Sequence, residues 1–184
     1  MGELIFVLGG ARSGKSRFAE ARAREIGGDE VLYVATAEVG DDEMRRRIEK
    51  HRQQRSPAWH TLEVTHDAGA AIVNQAGGAR VVLVDCLSML VANPLMADGL
   101  DSEGIADEEA LEGKVRAEVA GLINAVDAIG ASFIVVSNEV GMAVVPPSPL
   151  GRLYRDVLGR ANQQMAVRAG EVYLVVAGIP MQLK

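Results

Sequence analysis

The chain of 184 residues carries 25 acidic against 19 basic residues, which gives a formal net charge of −6, and 48% of its residues are hydrophobic. This length suits one domain with its own core and is too short for a (β/α)₈ barrel, which takes about 250 residues. The acidic balance disfavours a general nucleic-acid binder. A single cysteine, Cys86, excludes an intramolecular disulfide and a cysteine-based zinc site.

No targeting or membrane-spanning segment is evident. No stretch reaches the roughly 18 consecutive apolar residues that a transmembrane helix needs. The first apolar run, residues 4–8, is too short for the core of a signal peptide and leads straight into glycines. Together with the low cysteine content, this predicts a cytoplasmic protein without a membrane span.

Short runs rich in Val, Ile, Leu and Tyr predict buried strands, and amphipathic stretches between them predict helices. The strands are predicted at 4–8, 31–36, 60–65, 80–85, 132–138 and 171–177, and the helices at 15–27, 41–55, 107–129 and 150–169. The last helix carries one apolar stripe, formed by Leu150, Leu153, Tyr154, Val157, Leu158, Ala161 and Met165. This alternation predicts an α/β fold with a mostly parallel central sheet flanked by helices, in one domain over residues 1–184.

Residues 9–16 read GGARSGKS and match the phosphate-loop pattern G-x-x-x-x-G-K-[ST] in full, after an apolar strand and before a helix. Glycines let the backbone wrap around phosphate oxygens, and N–H groups at the helix N-terminus then face the anion. Lys15 is the candidate catalytic cation for the β- and γ-phosphates, and Ser16 is a candidate Mg²⁺ ligand. The predicted nucleotide contacts of the loop are Gly9, Gly10, Ala11, Arg12, Ser13, Gly14, Lys15 and Ser16. The motif predicts a RecA-like P-loop NTPase fold.

A second acid for the metal follows the apolar run VVLV at 81–84. Asp85 ends this predicted strand, and ligands of open α/β sheets bind beyond the carboxyl ends of the strands. Asp85 is therefore predicted to lie beside Ser16 and to share the Mg²⁺ ion with it. An acid that only caps the next helix is the alternative interpretation. Cys86, which follows, is interpreted as a buried structural thiol.

The segment DDEMRRRIEKHRQQR at 41–55 is predicted to be a basic helix, and spacings of four place Arg47, His51 and Arg55 on one face. Nearby positive charge keeps an imidazole neutral at physiological pH. A neutral imidazole can attack an α-phosphorus and form a phosphoramidate. Taken alone, however, the segment favours a solvated basic surface helix with an incidental histidine.

Taken together, the motifs resemble one family across nearly the whole chain. They are GGARSGKSRFAE, YVATAE, DDEMRRRIEKHRQQR, VDCLSMLVAN, VSNEVGMAVVP, LGRLYRDVLGRANQQMA and the terminal VYLVVAGIP. In these motifs the chain is similar to the bifunctional adenosylcobinamide kinase / adenosylcobinamide-phosphate guanylyltransferase of the cobalamin pathway. Ala143 stands where that family commonly has glycine.

The resemblance implies two reactions. A nucleoside triphosphate, ATP or GTP, phosphorylates adenosylcobinamide. GMP then passes from GTP to adenosylcobinamide phosphate through a guanylylated histidine, which is His51 here, and gives adenosyl-GDP-cobinamide. The resemblance further implies a homotrimer and nucleotide contacts by Ala35, Thr36, Ala37, Arg52, Gln53, Gln54, Arg55, Glu63 and Asp85.

Two other functions stay open from the residues alone. One is a P-loop small-molecule kinase with a single activity, because the loop does not by itself separate phosphoryl from nucleotidyl transfer. The other is a non-catalytic nucleotide-dependent switch or a motor subunit, against which the histidine between arginines and the short chain argue. Because a P-loop normally presents the γ-phosphate and His51 attacks the α-phosphorus, we predict that the 41–55 helix is mobile. We also predict that one nucleotide site serves both reactions.

Overall fold

A computed structural model describes residues 2–37, 56–98, 100–101, 104–105 and 107–184. Within these ranges, strands and helices alternate along the chain. The basic helix predicted at 41–55 lies outside the described residues, and so does its predicted mobility.

The described strands of the main sheet are β1 Leu4–Gly9, β2 Val31–Ala35, β3 His60–Glu63, β4 Val81–Asp85, β7 Ser132–Asn138, β8 Glu171–Val176 and β9 Ile179–Gln182. They lie in the order β3-β2-β4-β7-β1-β8-β9. All neighbours pair in parallel except β8 and β9, which form an antiparallel hairpin. Two short strands, β5 Leu100–Asp101 and β6 Gly104–Ile105, form a separate ribbon. The predicted mostly parallel sheet is confirmed.

Helices cover both faces of this sheet. They are α1 Lys15–Gly27, α2 Ala68–Gln75, α3 Leu87–Asp98, α4 Glu108–Ala128 and α5 Pro149–Arg168. On one face α1 packs with Tyr33 and Leu83, whereas Phe6 and Val84 face the layer formed by the other four helices. Because both faces of the central strands are buried, these strands appear in the sequence as continuous apolar runs.

The two long helices begin where their sequences indicate. Asp107 caps α4 by accepting a hydrogen bond from Ala110 N, and Ser148 caps α5 by accepting one from Gly151 N. Proline in the first turn of α5 is favourable, since its missing N–H would have no partner there. In the predicted apolar stripe of α5, the buried residues are Leu153, Val157, Leu158, Ala161 and Met165.

Five described elements were not predicted from the sequence: α2, α3, β9 and the two short strands β5 and β6. α3 is apolar around most of its surface and contains Pro94, so it shows little amphipathic period. β9 has exposed residues throughout and contains Pro180, which is typical of an edge strand. Among the helices that the structure describes, none has the length and apolar character needed to cross a membrane.

Candidate nucleotide-binding site

The phosphate loop joins β1 to α1 at the carboxyl edge of the sheet. Gly9 is the last residue of β1, and Lys15 is the first residue of α1. The turn between them uses left-handed backbone at Gly14, with a φ of 94°, and at Arg12, with a φ of 58°. No side chain in the described part of the chain caps α1. The N–H groups of its first turn are therefore open to an anion, as the motif predicts.

Neighbouring strands hold the loop from both sides. Glu139 N, just after β7, donates to Gly9 O at 3.1 Å, and Gly178 N in the β8–β9 turn donates to Ser13 O at 2.7 Å. A Cβ atom on Gly9 would lie 2.4 Å from Ser13 Oγ, and one on Gly14 would lie 3.0 Å from Gly178 Cα. Glycine is therefore required at both positions by close packing, in addition to the backbone conformation at Gly14.

Lys15 reaches back over the loop, where Nζ donates to Gly10 O at 3.1 Å. Burial lowers the pKa of its ammonium group, and the neighbouring carboxylate of Asp85 partly offsets this effect. Burial, with the carboxylate of Asp85 beside it, raises the pKa of Cys86 to about 11. The thiol is therefore uncharged at neutral pH, and the negative charge that acts on Lys15 is that of Asp85.

Asp85 ends β4 on the face of the sheet that α1 covers, since it shares that side with Leu83. One carboxylate oxygen, Oδ2, accepts a 2.8 Å hydrogen bond from the hydroxyl of Tyr33. Ser16 lies in the first turn of α1 on the same face. The two predicted Mg²⁺ ligands thus belong to elements that pack against each other at one edge of the sheet.

The donor set at this edge fits a magnesium ion that also binds phosphates. Mg²⁺ is usually held by one or two protein oxygens, and phosphate oxygens and water complete its octahedron. The carboxylate of Asp85 and the hydroxyl of Ser16 are ligands of this kind. No three His, Cys, Asp or Glu side chains of the described residues are grouped to hold a metal ion without phosphate, at this edge or at any other place.

Ala35, Glu63 and Asp85 lie in one register row across three neighbouring strands. Paired residues of parallel strands point to the same face, so Glu63 and Asp85 share a side of the sheet. Glu63 is exposed on the outer strand, four strand positions from β1, which is roughly 19 Å at about 4.8 Å per strand. It does not lie beside the phosphate loop, and its nucleotide contact stays a prediction.

The end of β2 is tied to the residue after Asp85. Thr36 is fully buried, and its Oγ1 donates to Cys86 O and accepts from Cys86 N, both at 2.7 Å. Asn93 Nδ2 donates to the carbonyl oxygens of Thr36 and Thr65, at 3.1 and 2.9 Å. The nucleotide contacts expected from this strand end stay predictions: Ala35, Thr36 and Ala37.

The predicted nucleophile, His51, lies outside the described residues. The same holds for the predicted nucleotide contacts that follow it, Arg52, Gln53, Gln54 and Arg55. Their roles stay predictions from the sequence.

Several polar residues buried at the carboxyl edge were not predicted from the sequence. In addition to Thr36, three polar side chains of the described residues are buried: Ser88, Ser137 and Asn162. Asn162 Oδ1 accepts a 2.7 Å hydrogen bond from Ser137 Oγ. A signal was present, because Asn162 lies on the apolar stripe of α5, between Leu158 and Met165. A polar residue on such a stripe indicates a buried hydrogen bond.

Comparison with known sequences identifies a family. The sequence model described as "Cobinamide kinase / cobinamide phosphate guanyltransferase" matches residues 5–183. The bifunctional adenosylcobalamin biosynthesis protein CobU of Escherichia coli is 44% identical over 182 residues, which cover 98% of this chain and 99% of that protein. The bifunctional adenosylcobalamin biosynthesis protein CobP of Pseudomonas aeruginosa is 42% identical over 178 residues, which cover 97% of this chain and 95% of that protein.

Solved structures agree on the fold. A KaiC-like protein of Pyrococcus horikoshii superposes with a TM-score of 0.52 at 16% identity, over 94% of this chain and 70% of that one. The ATPase domain of a second protein gives a TM-score of 0.53 at 13% identity, over 94% of this chain and 68% of that one. These similarities confirm the predicted RecA-like P-loop fold. The sequence match over nearly the whole chain shows more, namely that this protein belongs to the cobinamide kinase / cobinamide phosphate guanyltransferase family.

Proposed function

We propose that this chain phosphorylates adenosylcobinamide with ATP or GTP and then transfers GMP from GTP to the resulting phosphate. The observation that carries the proposal is the phosphate loop with Lys15 beside Asp85, in a chain that matches the family over residues 5–183. One sheet with apolar clusters on both faces supports a single catalytic domain over residues 1–184.

In the first reaction, the aminopropanol hydroxyl of adenosylcobinamide attacks the γ-phosphorus of the nucleotide. The new bond joins the hydroxyl oxygen to this phosphorus, the bond to the β–γ bridging oxygen breaks, and the hydroxyl proton passes to solvent. Residues 9–16 hold the phosphates through backbone N–H groups, and Lys15 stabilises the charge that moves to the leaving diphosphate. Because Lys15 is partly desolvated, its charge acts on the phosphates more strongly than it would in water.

Ser16 and Asp85 are the residues that we propose would hold a Mg²⁺ ion, which would supply charge neutralisation at the phosphates. Tyr33 orients the carboxylate of Asp85 for this role by holding its Oδ2. Such support from a neighbouring residue is a usual requirement of a metal ligand.

In the second reaction, a ring nitrogen of His51 attacks the α-phosphorus of GTP. A phosphorus–nitrogen bond forms, the bond to the α–β bridging oxygen breaks, and pyrophosphate leaves. A phosphate oxygen of adenosylcobinamide phosphate then attacks the same phosphorus, which frees the imidazole and gives adenosyl-GDP-cobinamide. We propose that the nucleotide in this step is also contacted by Ala35, Thr36, Ala37, Arg52, Gln53, Gln54, Arg55 and Glu63.

Intact mass spectrometry after incubation with GTP and Mg²⁺, without corrinoid, tests the second reaction. We expect the wild-type chain to gain the mass of one guanylyl group, and we expect acid to remove it because phosphoramidates are acid-labile. His51→Ala is expected to show no gain. His60→Ala is the matched control, since His60 is an exposed histidine on β3, and this variant should be labelled as the wild type is.

The alternatives give different results in this experiment. A folded, GTP-binding wild type without an adduct would contradict guanylyl transfer through His51. Phosphorylation of adenosylcobinamide by that same sample would then indicate a kinase with one activity, and no reaction at all would indicate a nucleotide-dependent switch. An adduct that persists in His51→Ala would assign the nucleophile to another residue.

We further propose that one nucleotide site serves both reactions, because the chain carries one phosphate-loop motif. Saturation binding of GTP, measured by isothermal titration calorimetry, should give one nucleotide per chain. Two GTP molecules bound at once to each chain would contradict the proposal.

Homotrimer formation in the cytoplasm is the last part of the proposal. Ile179 and Met181 of the outer strand β9 are 66% and 45% exposed, and Leu183 just after it is 60% exposed. No other described strand pairs with β9 on its free side. An exposed apolar edge strand is suited to contact with another chain, and the single cysteine suits a reducing compartment. Light scattering coupled to gel filtration should give the mass of a trimer, and a monomer mass would contradict this.

A further inference from the structure

β7 continues beyond the end of its neighbour β4. Asp85, the last residue of β4, pairs with Val136, whereas Asn138 pairs only with Gly9 of β1. The backbone N–H and C=O of Asn138 point to the β4 side, where no strand is left to pair with them. Such groups are costly to leave unpaired away from water.

Two side chains take the place of the missing strand. Ser88 Oγ, from α3, accepts a hydrogen bond from Asn138 N at 2.7 Å. Asn162 Nδ2, from α5, donates to Asn138 O at 3.1 Å. Both side chains are buried, and Ser137 Oγ donates to Asn162 Oδ1 at 2.7 Å on the other side of the amide. Two helices therefore complete the hydrogen bonds of one strand residue.

The residue so held borders the phosphate loop. Glu139, which follows Asn138, donates its N–H to Gly9 O at 3.1 Å. Gly9 has little freedom to move, because the site of a Cβ atom on it is only 2.4 Å from Ser13 Oγ and 2.7 Å from Val175 O. A shift of the end of β7 would therefore be transmitted to the first residue of the loop.

We propose that Ser88 and Asn162 are positioning residues for the phosphate loop. They hold the end of β7 through Asn138, and this sets the place of Gly9 and the alignment of the loop N–H groups with the phosphates. The inference rests on the proposed role of the loop in nucleotide binding. Neither side chain contacts the nucleotide in this scheme.

Equilibrium binding of GTP and of inorganic tripolyphosphate, both with Mg²⁺, is the measurement that tests this role. Tripolyphosphate carries the phosphates without base or ribose, so it reports on the loop alone. Asn162→Leu keeps the approximate size of the side chain and removes both the amide oxygen and the amide NH₂ group. Ser88→Ala removes the hydroxyl that accepts the hydrogen bond from Asn138 N. Each variant is expected to raise the Kd of both probes by the same factor, about tenfold, as the loss of one buried hydrogen bond predicts.

Ser137→Ala is the matched control. It also removes a buried hydrogen bond of Asn162, but it leaves the bond between Asn162 Nδ2 and Asn138 O in place. We expect its Tm to fall as that of Asn162→Leu does, while the Kd for GTP and for tripolyphosphate stays at the wild-type value. If Asn162→Leu does not fold, Ser88→Ala against Ser137→Ala gives the same comparison.

Three results would overturn the inference. One is a wild-type Kd in the folded Ser88→Ala and Asn162→Leu variants. Another is weaker binding of GTP with unchanged binding of tripolyphosphate, since the effect would then lie at the base or ribose. The third is an equal loss of affinity in Ser137→Ala, which would indicate general loosening of the fold. A wild type that binds neither probe would instead contradict the proposed nucleotide site itself.

Discussion

The hydroxyl of Tyr33 in β2 donates a 2.8 Å hydrogen bond to Oδ2 of Asp85 at the end of β4. Tyr33 pairs in register with Leu83, so the bond runs diagonally to the residue that leaves the sheet. It fixes the orientation of the Asp85 carboxylate, whose negative charge also favours the charged form of Lys15. This arrangement predicts that Tyr33 matters for metal binding although it lies inside the core.

Tyr33→Phe is expected to raise the Mg²⁺ concentration for half-maximal kinase activity by about tenfold, because residues that orient a metal ligand contribute on that scale. The rate at saturating Mg²⁺ should change little. Tyr173→Phe is the matched control, since its hydroxyl also bonds a carboxylate, that of Glu171, but away from Asp85. An unchanged Mg²⁺ dependence in Tyr33→Phe would contradict the proposed role of Tyr33 in orienting Asp85.

Lys15→Met is expected to lower the rate of phosphoryl transfer by about 10²–10³, which is typical for the loss of one charge that stabilises a transition state. Burial disfavours the charge of Lys15, so we expect no loss in the free energy of unfolding. Nucleoside diphosphate release and urea denaturation measure the two effects. Arg17→Met, an exposed change close by in the first turn of α1, should leave both values near those of the wild type. A kinase rate that survives in Lys15→Met would exclude a catalytic role for this residue.

The contact between α2 and α4 predicts opposite effects for two glycines. A Cβ atom on Gly69 would lie 2.2 Å from Gly121 O, whereas nothing lies within 4 Å of the corresponding site on Gly121. Gly69→Ala should therefore lower the free energy of unfolding by about 2–3 kcal/mol, because the helices must separate. Gly121→Ala should raise it by up to about 1 kcal/mol through helix propensity. Thermal and chemical denaturation check both signs, and equal effects would contradict the close approach of the two helices at Gly69.

Glu118 of α4 caps the neighbouring helix α2. Its two carboxylate oxygens accept hydrogen bonds from Asp67 N and Ala68 N, both at 2.7 Å. Glu118→Ala should cost about 1–2 kcal/mol of stability, since charged acceptors at a helix N-terminus contribute on this scale. Glu118→Gln keeps one hydrogen-bond acceptor without the charge, so its free energy of unfolding should lie between those of Glu118→Ala and the wild type. Chemical denaturation curves give the order of stability of the three proteins. A Glu118→Ala variant as stable as the wild type would contradict the capping role of Glu118.

Several features of this protein follow from local patterns. The loop GGARSGKS is predictable because its function depends on a short stretch of backbone, and the structure forms it between a strand and a helix with left-handed geometry at Gly14. The central strands are predictable because burial on both faces demands continuous apolar residues. The α3 helix was not predicted, since a mostly apolar helix that contains a proline shows little amphipathic period.

The motifs of the sequence by themselves determined the family, the parallel α/β architecture and the candidate residues Lys15, Ser16 and Asp85. Only the tertiary structure decided the strand order, and with it the distance of Glu63 from the loop and the contacts of Tyr33, Ser88 and Asn162. The physical reason is that strand order and buried hydrogen bonds join residues far apart in the chain. A local pattern records whether a side chain is buried, but the partner it meets there depends on how the whole sheet is assembled.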